Sequence, residues 1–147
     1  MKKDRSALLT LIALGILGSV LVLLAFTAPF LAKWFLTHFN RPAGILPAIL
    51  TTFYTILPFA AGVLVAMWKL LTNILDGAVF IPQNVRLLRI VGILLFFATV
   101  IFLVAGYFYM PFYLLAVCAA FITLIVRVVK NCFAAAVVLQ DENDMTI

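Results

Sequence analysis

Four long apolar runs govern what this chain can become. They cover roughly residues 7–30, 45–67, 90–106 and 108–126, and no Asp, Glu, Lys, Arg or His falls near the middle of any of them. A helix crossing a bilayer needs about 20 predominantly apolar residues at 1.5 Å rise each, and each run comes close to or exceeds that length. Membrane barrel strands would alternate apolar and polar residues over about ten positions; these runs are apolar all round. Composition points to the same solvent. Of the 147 residues, 67% are hydrophobic and 10% charged, where a soluble domain has about 45–50% and about 25%. The expected fold is all-α, a single polytopic membrane domain over residues 1–147, with four transmembrane helices in two hairpins.

The third and fourth runs are joined by "GYFYMP", which leaves room only for a tight outer turn. Pro111 has no N–H to donate and suits the first turn of the fourth helix. The first run follows Lys2, Lys3 and Arg5, as the core of a secretory leader would. Its stretch "LLTLIALGILGSVLVLLAF" nevertheless exceeds the usual leader core of about 7–15 residues. The best cleavage point, after Ala28, would also put bulky Phe26 and Pro29 at its borders. It is read as an uncleaved span.

Lys and Arg in short loops set orientation. Eight of them (Lys2, Lys3, Arg5, Lys69, Arg86, Arg89, Arg127, Lys130) share one side, and two, Lys33 and Arg41, share the other. Both termini, the loop over residues 69–89 and the tail over 127–147 are therefore expected in the cytoplasm. Lys33 with Trp34, and Lys69 with Trp68, have the character of interfacial anchors.

Ion-coupled pumps place an ionisable group within the membrane, and none is found here, which disfavours a proton-coupled transporter. His38 stands alone in the first loop, whereas a metal site takes three or four ligands; an interfacial imidazole is the favoured reading. Cys118 reads as a small core residue and Cys132 as an unmodified cytosolic thiol, with acylation the alternative. They lie about 21 Å apart along one helix, too far to pair. Ser6 and Ser19 have no base near them in sequence. No catalytic, cofactor-binding or metal residue is assigned, and no enzyme or cofactor is expected.

Small-xxx-small pairs, which let membrane helices approach closely, occur at Gly15/Ser19, Gly62/Ala66 and Ala116/Ala120. Pro58 should kink the second span, with Thr55 placed to satisfy the freed backbone groups.

Two polar segments interrupt the apolar sequence. In "NILDGAVFIPQNVRLLRIVG", residues 73–92, "LDG" stops a helix with Gly77 free to take positive φ. Pro82 then opens the next helix, and Gln83, Arg86 and Arg89 or Ile90 recur at helical spacing as one basic stripe. Such a stripe meets lipid headgroups or a protein. Direct nucleic-acid binding is not expected, because so few cations pinned to a membrane make a poor phosphate-binding surface. The second segment, "RVVKNCFAAAVVLQ", has no Gly or Pro to stop the fourth helix. That helix should project about 15–20 Å past the boundary at 1.5 Å per residue. Val128, Cys132, Ala135 or Ala136, and Leu139 share a face of it. It is too apolar to stand alone in water and needs the second span's inner end, a sister subunit or a partner.

Together, "DGAVFIPQNVRLLRIVG" and the terminal "DENDMTI" resemble the DUF2975 family of small bacterial four-span membrane proteins. The matching positions are Gly77, Phe80, Asn84 and Arg89, then Glu142, Asn143, Asp144, Thr146 and Ile147. Ile81 and Pro82 depart from the hydroxyl or acidic residue frequent in the family, and Met145 replaces its usual leucine. The resemblance implies a bacterial cytoplasmic membrane location. It also implies a genetic neighbour, a short helix-turn-helix regulator, and hence a non-enzymatic regulatory or interaction partner of such a protein. A small oligomeric transporter or pore, and a structural envelope protein, are the alternatives. The family-like residues, with Arg86, are the interaction candidates. The tail either folds back, so that Asp141, Glu142 and Asp144 meet Arg86 and Arg89 and Asn84 bonds its backbone, or stays free for a partner.

Overall fold

A computed structural model of the chain describes residues 2–145. Four helices follow one another: α1 (Lys2–His38), α2 (Leu46–Leu75), α3 (Pro82–Phe108) and α4 (Pro111–Met145), with a single 3-10 turn, Ala43–Ile45, before α2. Each is long and apolar enough to cross a membrane, and the described residues contain no strand. Proline stands in the first turn of α2, α3 and α4, where its missing N–H removes a donor that would have no helical partner. The helix starts expected at Pro82 and Pro111 are therefore both present.

Each helix packs on its neighbour in sequence: α1 on α2, α2 on α3, and α3 on α4. Among the described residues no comparable contact joins α1 to α4, so the hairpins form an open row rather than a closed four-helix bundle. The seams are lined with alanine. Ala28 and Ala32 on α1, Ala66 on α2, Ala98 and Ala105 on α3, and Ala116 and Ala119 on α4 are buried, as close approach of membrane helices requires.

The first span is longer than its apolar run. Nothing in "LAKWFLTH" breaks a helix, so α1 continues through residues read as outer loop and ends at His38. Asn40 then takes φ +50°. The Arg41 N–H bonds the Leu36 carbonyl at 2.9 Å and the Asn40 N–H the Thr37 carbonyl at 3.3 Å, a Schellman ending with Asn in the left-handed position. Pro29 lies inside this helix and cannot bond the carbonyl four residues earlier, that of Ala25. The hydroxyl of Tyr54, on α2, donates to that carbonyl at 3.0 Å. Pro58 poses the same problem in α2, but Thr55 does not solve it as expected. Its hydroxyl donates to the Thr51 carbonyl at 2.6 Å, whereas Pro58 frees the carbonyl of Tyr54.

Two of the three small-residue pairs lie in seams. A Cβ added at Gly62 would meet Leu94 of α3 at 2.9 Å, Ala66 is buried beside it, and Ala116 is 1% exposed. The Gly15/Ser19 pair does not. Both residues are exposed, and a Cβ at Gly15 would find only the Trp68 ring edge, at an ordinary 3.8 Å. The tightest glycine was not among the pairs. A Cβ at Gly106 would fall 2.5 Å from the Tyr113 ring, because the α3–α4 turn folds that ring back on the end of α3.

Candidate functional site

The succession of antiparallel helices brings the start of α1, the α2–α3 connection and the end of α4 to one end of the molecule, which carries most of the basic residues. The connection there is tightly built. α2 ends in a Schellman motif: Gly77 has φ +86°, its N–H bonds the Ile74 carbonyl at 3.1 Å, and the Ala78 N–H bonds the Asn73 carbonyl at 2.9 Å. The chain then crosses to α3 through Val79, Phe80 and Ile81.

Asn84 holds this crossing together. It is 0% exposed. Its amide nitrogen donates to the carbonyls of Ala78 at 2.9 Å and Val79 at 2.6 Å, and its oxygen accepts from the amide of Asn73 at 2.9 Å. Both amide hydrogens are thus used on loop carbonyls that no helix could satisfy. Asn73 takes part twice, through its side chain and its backbone carbonyl, a role that sequence reasoning missed. Phe80 leaves the loop in the other direction and meets the Phe133 ring edge-on, with centroids 5.5 Å apart. That contact ties the loop to the extended part of α4.

The two arginines read as part of the loop lie on α3 and separate. Arg86 lies with Gln83, Lys69, Thr72 and Asn73 along the α2–α3 groove. Arg89 lies with Arg127 and Lys130 along the α3–α4 groove. Three residues leave the two side chains about 60° apart around α3, and the boundary between the two grooves falls between them. The single basic stripe read from the sequence is therefore two clusters.

The tail does not fold back over its described length. α4 stays helical to Met145, and Gln140 through Met145 are exposed. From Phe133, the rise to Met145 carries the chain about 18 Å away from the loop contact at 1.5 Å per residue. Glu142, Asn143 and Asp144 lie on these last exposed turns. Of the two alternatives, the folded-back tail would have used Asn84, whose bonds instead lie within the loop and to Asn73. Thr146 and Ile147 lie outside the described residues.

The apolar face of the extension also differs in its surroundings from what was expected. Phe133, Ala134, Ala136 and Val137 are half-buried, while Val128, Cys132, Ala135 and Leu139 point outward and are exposed; of the alternatives Ala135 and Ala136, only Ala135 shares the exposed face. Packing on the second span is not what covers them: α4 makes its substantial contacts with α3.

No curated protein and no solved structure matches the chain. The model of the family described as "Protein of unknown function (DUF2975)" matches residues 5–147, spanning the Gly77–Arg89 loop and the acidic end of α4, and the chain belongs to that family.

Proposed function

We propose that the protein is a non-enzymatic, multi-pass protein of the bacterial cytoplasmic membrane whose basic end faces the cytosol and docks a soluble protein. One observation carries this reading. Beyond Arg127, α4 presents an outward apolar stripe that ends at Leu139, 65% exposed, with Val138 beside it, 56% exposed. A hydrocarbon core takes about 20 residues of helix, so α4, entering it at Pro111, would leave it near residue 131, and the far part of the stripe would stand in water. Apolar surface left in water forgoes about 25 cal/mol per Å², and a partner would recover it. The stripe is held in place by a loop whose own hydrogen bonds are satisfied, which suits a preformed docking surface.

The acidic residues Asp141, Glu142 and Asp144 border the stripe. A DNA-binding regulator has a basic surface, and opposite charge favours its encounter and orientation. A short helix-turn-helix protein, the genetic neighbour implied by the family resemblance, fits both features. The test is co-purification from solubilised membranes with the intact chain as bait, compared with Val138→Asp/Leu139→Asp. Loss of a soluble protein from the variant, at an unchanged unfolding temperature, is the expected result. Retention of every captured protein by the variant overturns the reading.

An oligomeric transporter or pore is the second reading, supported by the open row, which leaves the outer faces of α1 and α4 without a protein neighbour. The size of the purified complex separates the two.

A further inference from the structure

We propose that the groove between α3 and α4 at the basic end binds one anionic glycerophospholipid, its phosphodiester against Arg89, Arg127 and Lys130 and an acyl chain along the apolar floor. This inference is independent of the docking surface on the extension of α4.

The groove encloses about 370 Å³, within the usual range of small-molecule sites. Arg127 and Lys130 stand three residues apart on α4, neighbours on one face, and Arg89 approaches from α3. The sequence has no acidic residue between Asp76 and Asp141, so neither wall of the groove carries a carboxylate for these cations. Lys130 is half-buried. Arg89 and Arg127 are exposed beside it, and an anion seated among the three like charges would offset their mutual repulsion. A phosphodiester fits, because guanidinium groups present paired donors in the geometry of phosphate oxygens.

Below the cations the walls become apolar. Leu88 is 4% exposed. Gly92 contributes no side chain, and a Cβ placed there would reach Val126 at 3.8 Å, so its absence deepens the groove. Ile93 and Phe96 continue the line towards the membrane centre. The order is that of a lipid, with charge at the boundary and hydrocarbon beneath. The α2–α3 groove provides a contrast. It gathers two cations rather than three, Lys69 and Arg86, and sets the hydroxyl and amide groups of Thr72, Asn73 and Gln83 among them, with Trp68 and Leu87 as its apolar lining.

The experiment uses the full chain, purified and returned to phosphatidylcholine nanodiscs, with phosphatidylglycerol titrated in. Bound lipid is counted by native mass spectrometry and stability followed by thermal unfolding. One phosphatidylglycerol should stay bound per chain and raise the unfolding temperature, with no such effect from phosphatidylcholine. Retention should fall about tenfold for each cation removed in Arg127→Gln and Lys130→Gln, as loss of a charge-assisted hydrogen bond implies. It should also fall in Gly92→Phe, which fills the floor and keeps the charges, and be unchanged in Lys69→Gln/Arg86→Gln. If Gly92→Phe fails to fold, Gly92→Leu takes its place. Equal retention of phosphatidylcholine, an equal loss in the Lys69/Arg86 variant, or equal stabilisation by glycerol 3-phosphate without acyl chains overturns the proposal.

Discussion

Asn84 shows how much of a loop one side chain can determine. It stands in the first turn of α3, yet its partners are loop carbonyls and an α2 amide. Leaving a buried group without its hydrogen bond costs about 1–3 kcal/mol. We expect Asn84→Ala to destabilise the protein by about that much, read as a lower unfolding temperature in detergent. Asn84→Asp should do no better: it keeps the acceptor for Asn73 but turns a negative oxygen on the carbonyls of Ala78 and Val79. An Asp variant as stable as the native chain would mean that water satisfies these carbonyls and that Asn84 is dispensable to the loop. Part of this was legible in the sequence. "DG" announced the positive φ at Gly77, and the proline of "IPQN" announced the start of α3, because both are local backbone constraints. The bond between Asn73 and Asn84 was not, since it spans a turn whose path depends on how α2 and α3 pack. The same holds for Tyr54 and the Ala25 carbonyl: the need arises from Pro29 in one helix, and the donor comes from another.

At the scale of the helix, the sequence revealed which segments are helical but not which faces meet. Run length, turn residues and proline positions sufficed for four spans and for the extension of α4. Contact faces were harder, because a helix that is apolar all round has no polar side to mark its outside. Gly15/Ser19 matched the pattern of a packed pair yet lies exposed, while Gly106, outside any such pair, is buried against a ring. The two glycines should therefore respond differently to a methyl group. Gly106→Ala drives a Cβ into the Tyr113 ring and should destabilise by about 1–3 kcal/mol, as overpacking does. Gly15→Ala should lie within about 0.5 kcal/mol of the native chain, or slightly above it, since alanine favours helix over glycine. Thermal unfolding of both variants in one detergent tests this. A Gly106→Ala variant no less stable than Gly15→Ala would show that Tyr113 swings away freely and that the turn is not fixed by that contact.

For the molecule as a whole, the open row and the charge distribution have a joint consequence. A row without closing contacts has two broad faces and two edges that only lipid or another protein can cover, so its placement in the bilayer depends on its ends. Those ends are unequal: eight Lys and Arg belong to the end with the termini and two to the other. Because α1–α2 and α3–α4 are antiparallel hairpins, Ala43 lies at the far end and Met145 at the basic end. The excess of Lys and Arg should retain the basic end in the cytosol. The test starts from a chain with Cys118→Ala and Cys132→Ala, since both native thiols are exposed, Cys118 included, against its reading from the sequence as a core residue. Ala43→Cys, in an exposed segment before α2, should react with a membrane-impermeant maleimide in intact cells. Met145→Cys should react only after permeabilisation. Exchange of the two results would invert the protein, place the loop, the stripe and the acidic end of α4 outside the cell, and remove the docking proposal with them. Labelling of both sites from outside would mean that an even number of the three helices between them, α2 to α4, crosses the membrane, and the paired hairpins would then have to be redrawn.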